Sequence, residues 1–241
     1  MADAAVTPVG RDLDAVSFDA MGTLIRLEEP APRLREALTR HLGLDVPLDR
    51  CEAAMRAEMT HYRTHCHRAS DRVALAALRL ECAGVMADVL ALGPGGPELL
   101  PALGDAIAFR LYPDVLHVLE RLEQAGLRTA ILSNWDVSLH DALRRLGLEA
   151  RFAAAVASAE IGAEKPDPRA FEAVAEALGA VPHRILHVGD DPVRDVDGAR
   201  AAGLRALLLQ RGGGPAQRRP RVTTLAELPA LLDLDHGIAH G

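Results

Sequence analysis

The stretch VSFDAMGTLI, residues 16–25, decides how the rest of the chain is read. An apolar, β-prone run ends on a carboxylate, Asp19, and the chain then turns at Gly22 before Thr23. Apolar runs of this kind recur over residues 13–19, 127–132, 152–157, 184–189 and 204–209, bounded by Gly, Asp or Asn, and read as strands buried on both faces. Helical patterns at 136–146, 167–178 and 195–202 lie between the later four. Alternating strand and helix predicts an α/β fold, a parallel sheet wrapped by helices with right-handed crossovers. Gly126, Gly147, Gly179 and Gly203 fall just past helical patterns, where a left-handed C-terminal cap favours glycine. Pro113 opens the amphipathic stretch DVLHVLERLEQAG as a first-turn proline would.

Residues 28–110 have a different texture. Ala, Leu, Arg and Glu recur at helical period with no strand pattern, which predicts helices near 32–42, 48–67, 71–92 and 98–109 joined by GLDVP and GPGGP. The expected organisation is a core formed by residues 11–27 and 111–235, interrupted by a helical insert at 28–110. The run RGGGPAQRRP, residues 211–220, reads as a surface loop, because it lacks the Lys-Ser/Thr ending of a phosphate-binding P-loop.

The 241 residues carry 27 Lys and Arg against 34 Asp and Glu, a formal net charge of −7 with no long basic block. That balance argues against nucleic acid or an anionic membrane as partner, while a small anionic substrate stays compatible with a locally positive cleft. The first residues lack the basic start and apolar core of a signal peptide, and no apolar run has the length of a membrane span, so a cytoplasmic location is expected. Cys51, Cys66 and Cys82 are odd in number and show no CxxC spacing, and are read as free thiols. Monomer and homodimer are equally open.

Ligands of parallel sheets gather at the carboxyl ends of the strands. Those ends carry Asp19, then Ser133 and Asn134, then Lys165 in EKPDP, then Asp190, Asp191 and Asp195 in GDDPVRD. An acidic cluster opposite an isolated strand-end aspartate requires a cation between them, and hard oxygen donors suit Mg²⁺. Ser133 and Lys165 then complement an anionic group such as phosphate.

The order and spacing of FDAMGTL, LSN, the lysine of EKPDP and HVGDDPVRD resemble the four motifs of the haloacid dehalogenase superfamily, over nearly the whole chain. The resemblance implies a Rossmann-like core and a type 1 helical cap between the first two motifs. By position it makes Asp19 the nucleophile, supported by Thr23, with Ser133, Asn134 and Lys165 holding the transferred group. It also implies Mg²⁺ bound by Asp19, Asp190, the backbone carbonyl of Met21, and Asp195 or Asp191. The expected activity is hydrolysis of a small phosphorylated metabolite.

Met21 departs from the phosphatase pattern. Phosphatases of the superfamily have an aspartate two places after the nucleophile, and a thioether cannot replace it as acid or base, a role typically worth about 10²- to 10⁴-fold. The dehalogenases also lack that acid and have a similar first motif, FDAYGT, but carry SSN where this chain has GDD. Three readings follow: a Mg²⁺-dependent phosphohydrolase, a metal-independent 2-haloacid dehalogenase-like hydrolase, and a catalytically weak or non-enzymatic binding protein of the same fold. Asp136 of SNWD is a candidate substitute acid. Asp191 and Asp195 also fit as N-terminal acids of a helix. In the insert, Arg50, Arg56, Arg63, His67 and Arg68 are candidate substrate grips, His61 and His65 have a metal-like spacing without further ligands, and Trp135 suits either core or cleft wall.

Overall fold

The computed structural model describes residues 12–93, 96–212 and 221–234. Six parallel strands, β1 (Ala15–Phe18), β4 (Arg128–Ser133), β5 (Ala154–Ala157), β6 (Ile185–Gly189), β7 (Arg205–Leu209) and β8 (Arg221–Val222), form one sheet in the order β5-β4-β1-β6-β7-β8. The chain leaves β1 toward β4 and β5, then returns to β6 on the other side, so β1 is central and a topological switch lies beside it. The fold is α/β and Rossmann-like.

Period-two alternation sends side chains to opposite faces. Val16, Phe18, Ile131, Leu186, Val188 and Leu207 pack on one side with α5 (Val115–Gln124), α6 (Leu139–Arg145) and α10 (Leu228–Leu231). Ala15, Ala130, Leu132, Val156 and Ile185 pack on the other with α8 (Pro168–Leu178) and α9 (Gly198–Ala201). The four cap glycines all take positive φ, as their positions predict.

Between β1 and α5 the chain forms α1 (Pro30–Leu42), α2 (Leu48–His65), α3 (Arg72–Leu90) and α4 (Leu100–Ala106), which share a hydrophobic core of their own built on Leu34, Leu38, Met55, Leu78 and Met86. Two strands flank this segment: β2 (Ile25–Leu27) pairs antiparallel with β3 (Phe109–Leu111). The fourth helical pattern therefore stops early, and Phe109, its expected last residue, lies in a strand. β2 and β3 are three residues each, too short to register as an alternating pattern, and each is held by the other. A part-buried contact joins the helical segment to the loop after β4: the Tyr62 hydroxyl on α2 donates to Asp136 at 2.7 Å. The Val137 amide also donates to the Ala69 carbonyl, and Arg72 grips Asp141 on α6.

Cys51, Cys66 and Cys82 are free and buried. Among the described residues no helix is long and apolar enough to cross a membrane. Residues 213–220 of the glycine-rich run, and the expected core limits at residues 11 and 235, lie outside the described residues.

Candidate active site

Asp19 follows β1 directly, and its amide donates to the Val188 carbonyl of β6, locking the residue between two neighbouring strands. Its side chain is almost wholly buried. One carboxylate oxygen, Oδ1, accepts from the Lys165 ammonium at 2.7 Å and from the Ser133 hydroxyl at 3.3 Å. Lys165 makes a second contact, donating to Asp195 Oδ1 at 2.6 Å. The same Asp195 oxygen faces His187 Nε2 at 3.3 Å, and its Oδ2 accepts from the Asp191 amide at 2.9 Å.

The loop after β1 is held by its backbone. Leu24 and Ile25 donate to the Ala20 carbonyl, and Gly22 donates to Ile25. Gly22 has φ +85°, and an added Cβ would lie 2.1 Å from Asp190 Oδ2, so only glycine lets the Asp190 carboxylate approach this turn. Gly189 serves the same purpose on β6, where a Cβ would meet Asp195 Cγ at 2.2 Å. Asp195 reaches inward because Pro192–Asp197 forms a wide π-type turn, with Val196 donating back to Asp191. The regular helix expected from residue 195 is replaced by this turn and the short α9. Asp191 caps it, accepting from the Val193 and Arg194 amides, and so stands apart from the inner cluster.

Charge is unbalanced here. Asp19, Asp190 and Asp195 offer oxygens that all lie within 4.8 Å of one another, against the single ammonium of Lys165. Burial, together with the charges of Asp19 and Asp195, pushes Asp190 up to about 7. Burial also raises Asp19, opposed by Lys165. Burial works against ionisation of Asp195 as well, yet Lys165 and His187 hold it well below the usual carboxylate range. Lys165 would be depressed by burial, but the two aspartates overcome this and keep it charged. Burial lowers His187 and leaves it a neutral ring. A divalent cation fits this donor set. When all three carboxylates are ionised they exceed the Lys165 ammonium by two negative charges, Asp190 has no ion-pair partner among the described residues, and the Met21 carbonyl accepts no backbone hydrogen bond there.

A strand-end aspartate joined to a lysine, a hydroxyl and two further acids is the decisive pattern, and the family model for haloacid dehalogenase-like hydrolases matches residues 13–203. The chain belongs to that family. Phosphoserine phosphatase of Thermus thermophilus is 36% identical over 137 residues, 54% of this chain and 55% of that protein. The chain thus spans about half the length of that relative. Among solved structures, a HAD phosphatase from Thermococcus onnurineus aligns with TM-score 0.64 and 26% identity, covering 91% of this chain and 98% of that one. A 2-haloacid dehalogenase from Pseudomonas syringae pv. Tomato aligns with TM-score 0.64 and 25% identity, covering 92% and 98%.

Within this member of the family the remaining candidates divide. Both halves of the Asn134 amide bond the Lys165 backbone: Nδ2 donates to the carbonyl at 2.9 Å and Oδ1 accepts from the amide at 2.8 Å. Its side chain ties the loop after β4 to the Lys165 backbone, and one Nδ2 hydrogen is left for a further partner. The Thr23 hydroxyl is buried with no hydrogen-bond partner, while the Thr23 carbonyl is held by Arg211, which also pairs with Asp114. Asp136 is no free acid, since Oδ1 accepts from the Ser138 amide and Oδ2 from Tyr62. Trp135 is buried in the core, edge-on to Phe109. Arg50, Arg56 and Arg68 bond within the helical segment, to the Val89 carbonyl, Glu52 and Glu81, while Arg63 and His67 are exposed. His61 pairs with Glu81 and His65 bonds the His61 carbonyl, so neither offers a metal site.

His187 opens the HVGDDPVRD motif and Ser17 lies in the VSFDAMGTLI stretch, yet neither was given a role from sequence. Their signal was present, a polar residue inside an apolar run in both VSFD and ILHVG. A second signal lay in composition: Lys165 is the chain's single lysine, every other member of the 27 Lys and Arg being arginine.

Proposed function

We propose that this hydrolase cleaves a small phosphorylated metabolite through an aspartyl-phosphate on Asp19. The observation that carries the reading is Asp19 itself: a buried strand-end carboxylate with one oxygen held by Lys165 and Ser133, next to Asp190, which makes no ion pair among the described residues. A free Oδ2 attacks phosphorus, an O–P bond forms as the ester O–P bond breaks, and Lys165 and Ser133 sit where they can stabilise the transferred oxygens. Water then attacks the aspartyl-phosphate, phosphate leaves and the carboxylate is regenerated. Asp19, Asp190 and the Met21 carbonyl would hold Mg²⁺ with Asp195 in support, and the bound ion would neutralise phosphoryl charge and orient the substrate.

Met21 supplies no proton to the departing alkoxide and takes none from the water, and both Asp136 oxygens are occupied. The reading therefore favours a substrate whose leaving group departs without an acid, such as an acyl phosphate. The helical segment at 28–110 acts as a cap that closes over the strand ends and excludes water. Buried free thiols accord with a reducing, cytoplasmic setting.

Met21 also supports a second reading, metal-independent dehalogenation, because halide needs no proton on leaving. Asp190 weighs against it, since once ionised it would repel a haloacid's own carboxylate. The test is turnover of an activated phosphoester and of a short 2-haloacid, each with Mg²⁺ and with excess EDTA, using Asp19→Asn as the blank. Phosphate release that requires Mg²⁺ and Asp19 is the expected result. EDTA-resistant halide release would replace it with the dehalogenase, and silence on both substrates would favour a binding protein.

A further inference from the structure

His187 is fully buried on β6, directly opposite Ser17 on β1 in the strand register. Their contact is 2.9 Å, Ser17 Oγ to His187 Nδ1, and the edge of Phe171 from α8 packs on the ring. Ala15, Ala130, Leu132 and Ile185 share this face and are apolar. Burying a hydroxyl and an imidazole among them is costly unless both are bonded. The bonds define a direction. Ionised Asp195 can only accept, so Nε2 donates to it, and in a neutral ring Nδ1 then accepts from the Ser17 hydroxyl. The chain of contacts runs Ser17, His187, Asp195, Lys165, Asp19.

Lysine is the end of that chain. One ammonium nitrogen reaches both Asp19 and Asp195, at 2.7 and 2.6 Å, where a planar guanidinium would spread the two contacts over separate nitrogens, and this is the one position at which the protein departs from arginine. We propose that His187 is a positioning residue: oriented by Ser17, it fixes the Asp195 carboxylate so that Asp195 holds the Lys165 ammonium against Asp19. The proposal rests on Lys165 acting in the hydrolytic step.

The test compares His187→Gln with His187→Asn. A glutamine amide can place its N–H near the Nε2 position and still reach Asp195, whereas an asparagine amide lies near Nδ1 and cannot. His187→Gln is expected to keep most of the wild-type kcat, and His187→Asn to lose about 10- to 100-fold in kcat with KM unchanged. Equal kcat in the two folded variants, or a change confined to KM, would overturn the proposal.

A readout independent of substrate and metal comes from the single lysine. Protein labelled with ¹⁵N-lysine gives one side-chain ammonium resonance, expected to be protected from exchange in the unsubstituted protein and in His187→Gln, and displaced or broadened in His187→Asn. Ser17→Ala, a smaller change, should displace it in the same direction even if His187→Asn fails to fold. Superimposable resonances across these variants, or no protected resonance in the unsubstituted protein, would overturn the proposal. Absence of all phosphoester turnover would instead refute the phosphatase reading and leave the resonance to decide this one.

Discussion

At the strand ends, Lys165 bridges Asp19 and Asp195 with its side chain 3% exposed, whereas on the helical segment Arg68 and His61 meet Glu81 with side chains 46% and 24% exposed. Both are clusters of opposite charge at hydrogen-bond distance. Their surroundings differ. Inside the sheet layer the dielectric is low, desolvation is severe, and removing one partner strands the others without water to replace it. On the helical surface, water and salt screen each pair and take over when one is lost. The sheet therefore holds a cluster whose charges are energetically costly to alter, while the helical segment carries charge that water and salt readily replace.

The sharpest way to stress the strand-end side is Met21→Asp, which restores a proton donor beside Asp19. Turnover of phosphoesters with poor leaving groups should rise by about 10²- to 10⁴-fold, with little gain on activated aryl esters. A uniform gain across leaving groups, measured as the dependence of log kcat on leaving-group pKa, would mean that Met21 does not limit protonation.

Next in size is Lys165→Arg, which preserves charge but not shape. It should cost roughly 10²- to 10³-fold in kcat, the scale of losing one preorganised donor to the transferred group. Retention of full activity would show that the ammonium's compactness is irrelevant and erase the contrast with the arginine-rich surface.

Magnesium affinity should follow Asp190. With that carboxyl at about 7, a proton must leave before the oxygen can bind a cation, so apparent affinity should rise by up to about tenfold per pH unit below that value and level off above it. Calorimetric titrations in buffers of different protonation enthalpy would register the released proton. Affinity independent of pH between 5 and 8 would place the ion elsewhere.

Two substitutions probe the helical segment. Tyr62→Phe removes the part-buried donor to Asp136 and should destabilise the protein by about 1–3 kcal/mol, read as a lower Tm. Glu81→Gln, at the exposed cluster, should leave Tm unmoved. If Glu81→Gln were the more damaging of the two, exposure would not be the variable that separates the regions.

Much of this was legible from residue order. The five longer strands of the sheet and α5, α6 and α8 announce themselves by periodicity and by glycine or proline at their ends, because burial on known faces imposes those patterns locally. The β2–β3 pair was not legible, since Ile25–Leu27 and Phe109–Leu111 are strands only by virtue of each other. The motif resemblance made Asn134 a substrate contact, and what it could not show is that the amide also bonds the Lys165 backbone across a gap that only folding closes. Asp136 misled because proximity in sequence to Ser133 said nothing about Tyr62 arriving from α2.

By itself, then, the sequence determined the α/β class, the family and the set of polar groups at the strand ends, because each depends on short-range patterns and on chemistry that a residue carries wherever it lies. Tertiary structure decided which groups share an oxygen. Ser17 meets His187 only through the β1–β6 register, and Asp195 meets Lys165 only because a π-type turn aims it inward over a glycine. Hydrogen bonds act over about 3 Å, so their partners are set by packing between segments far apart in the chain.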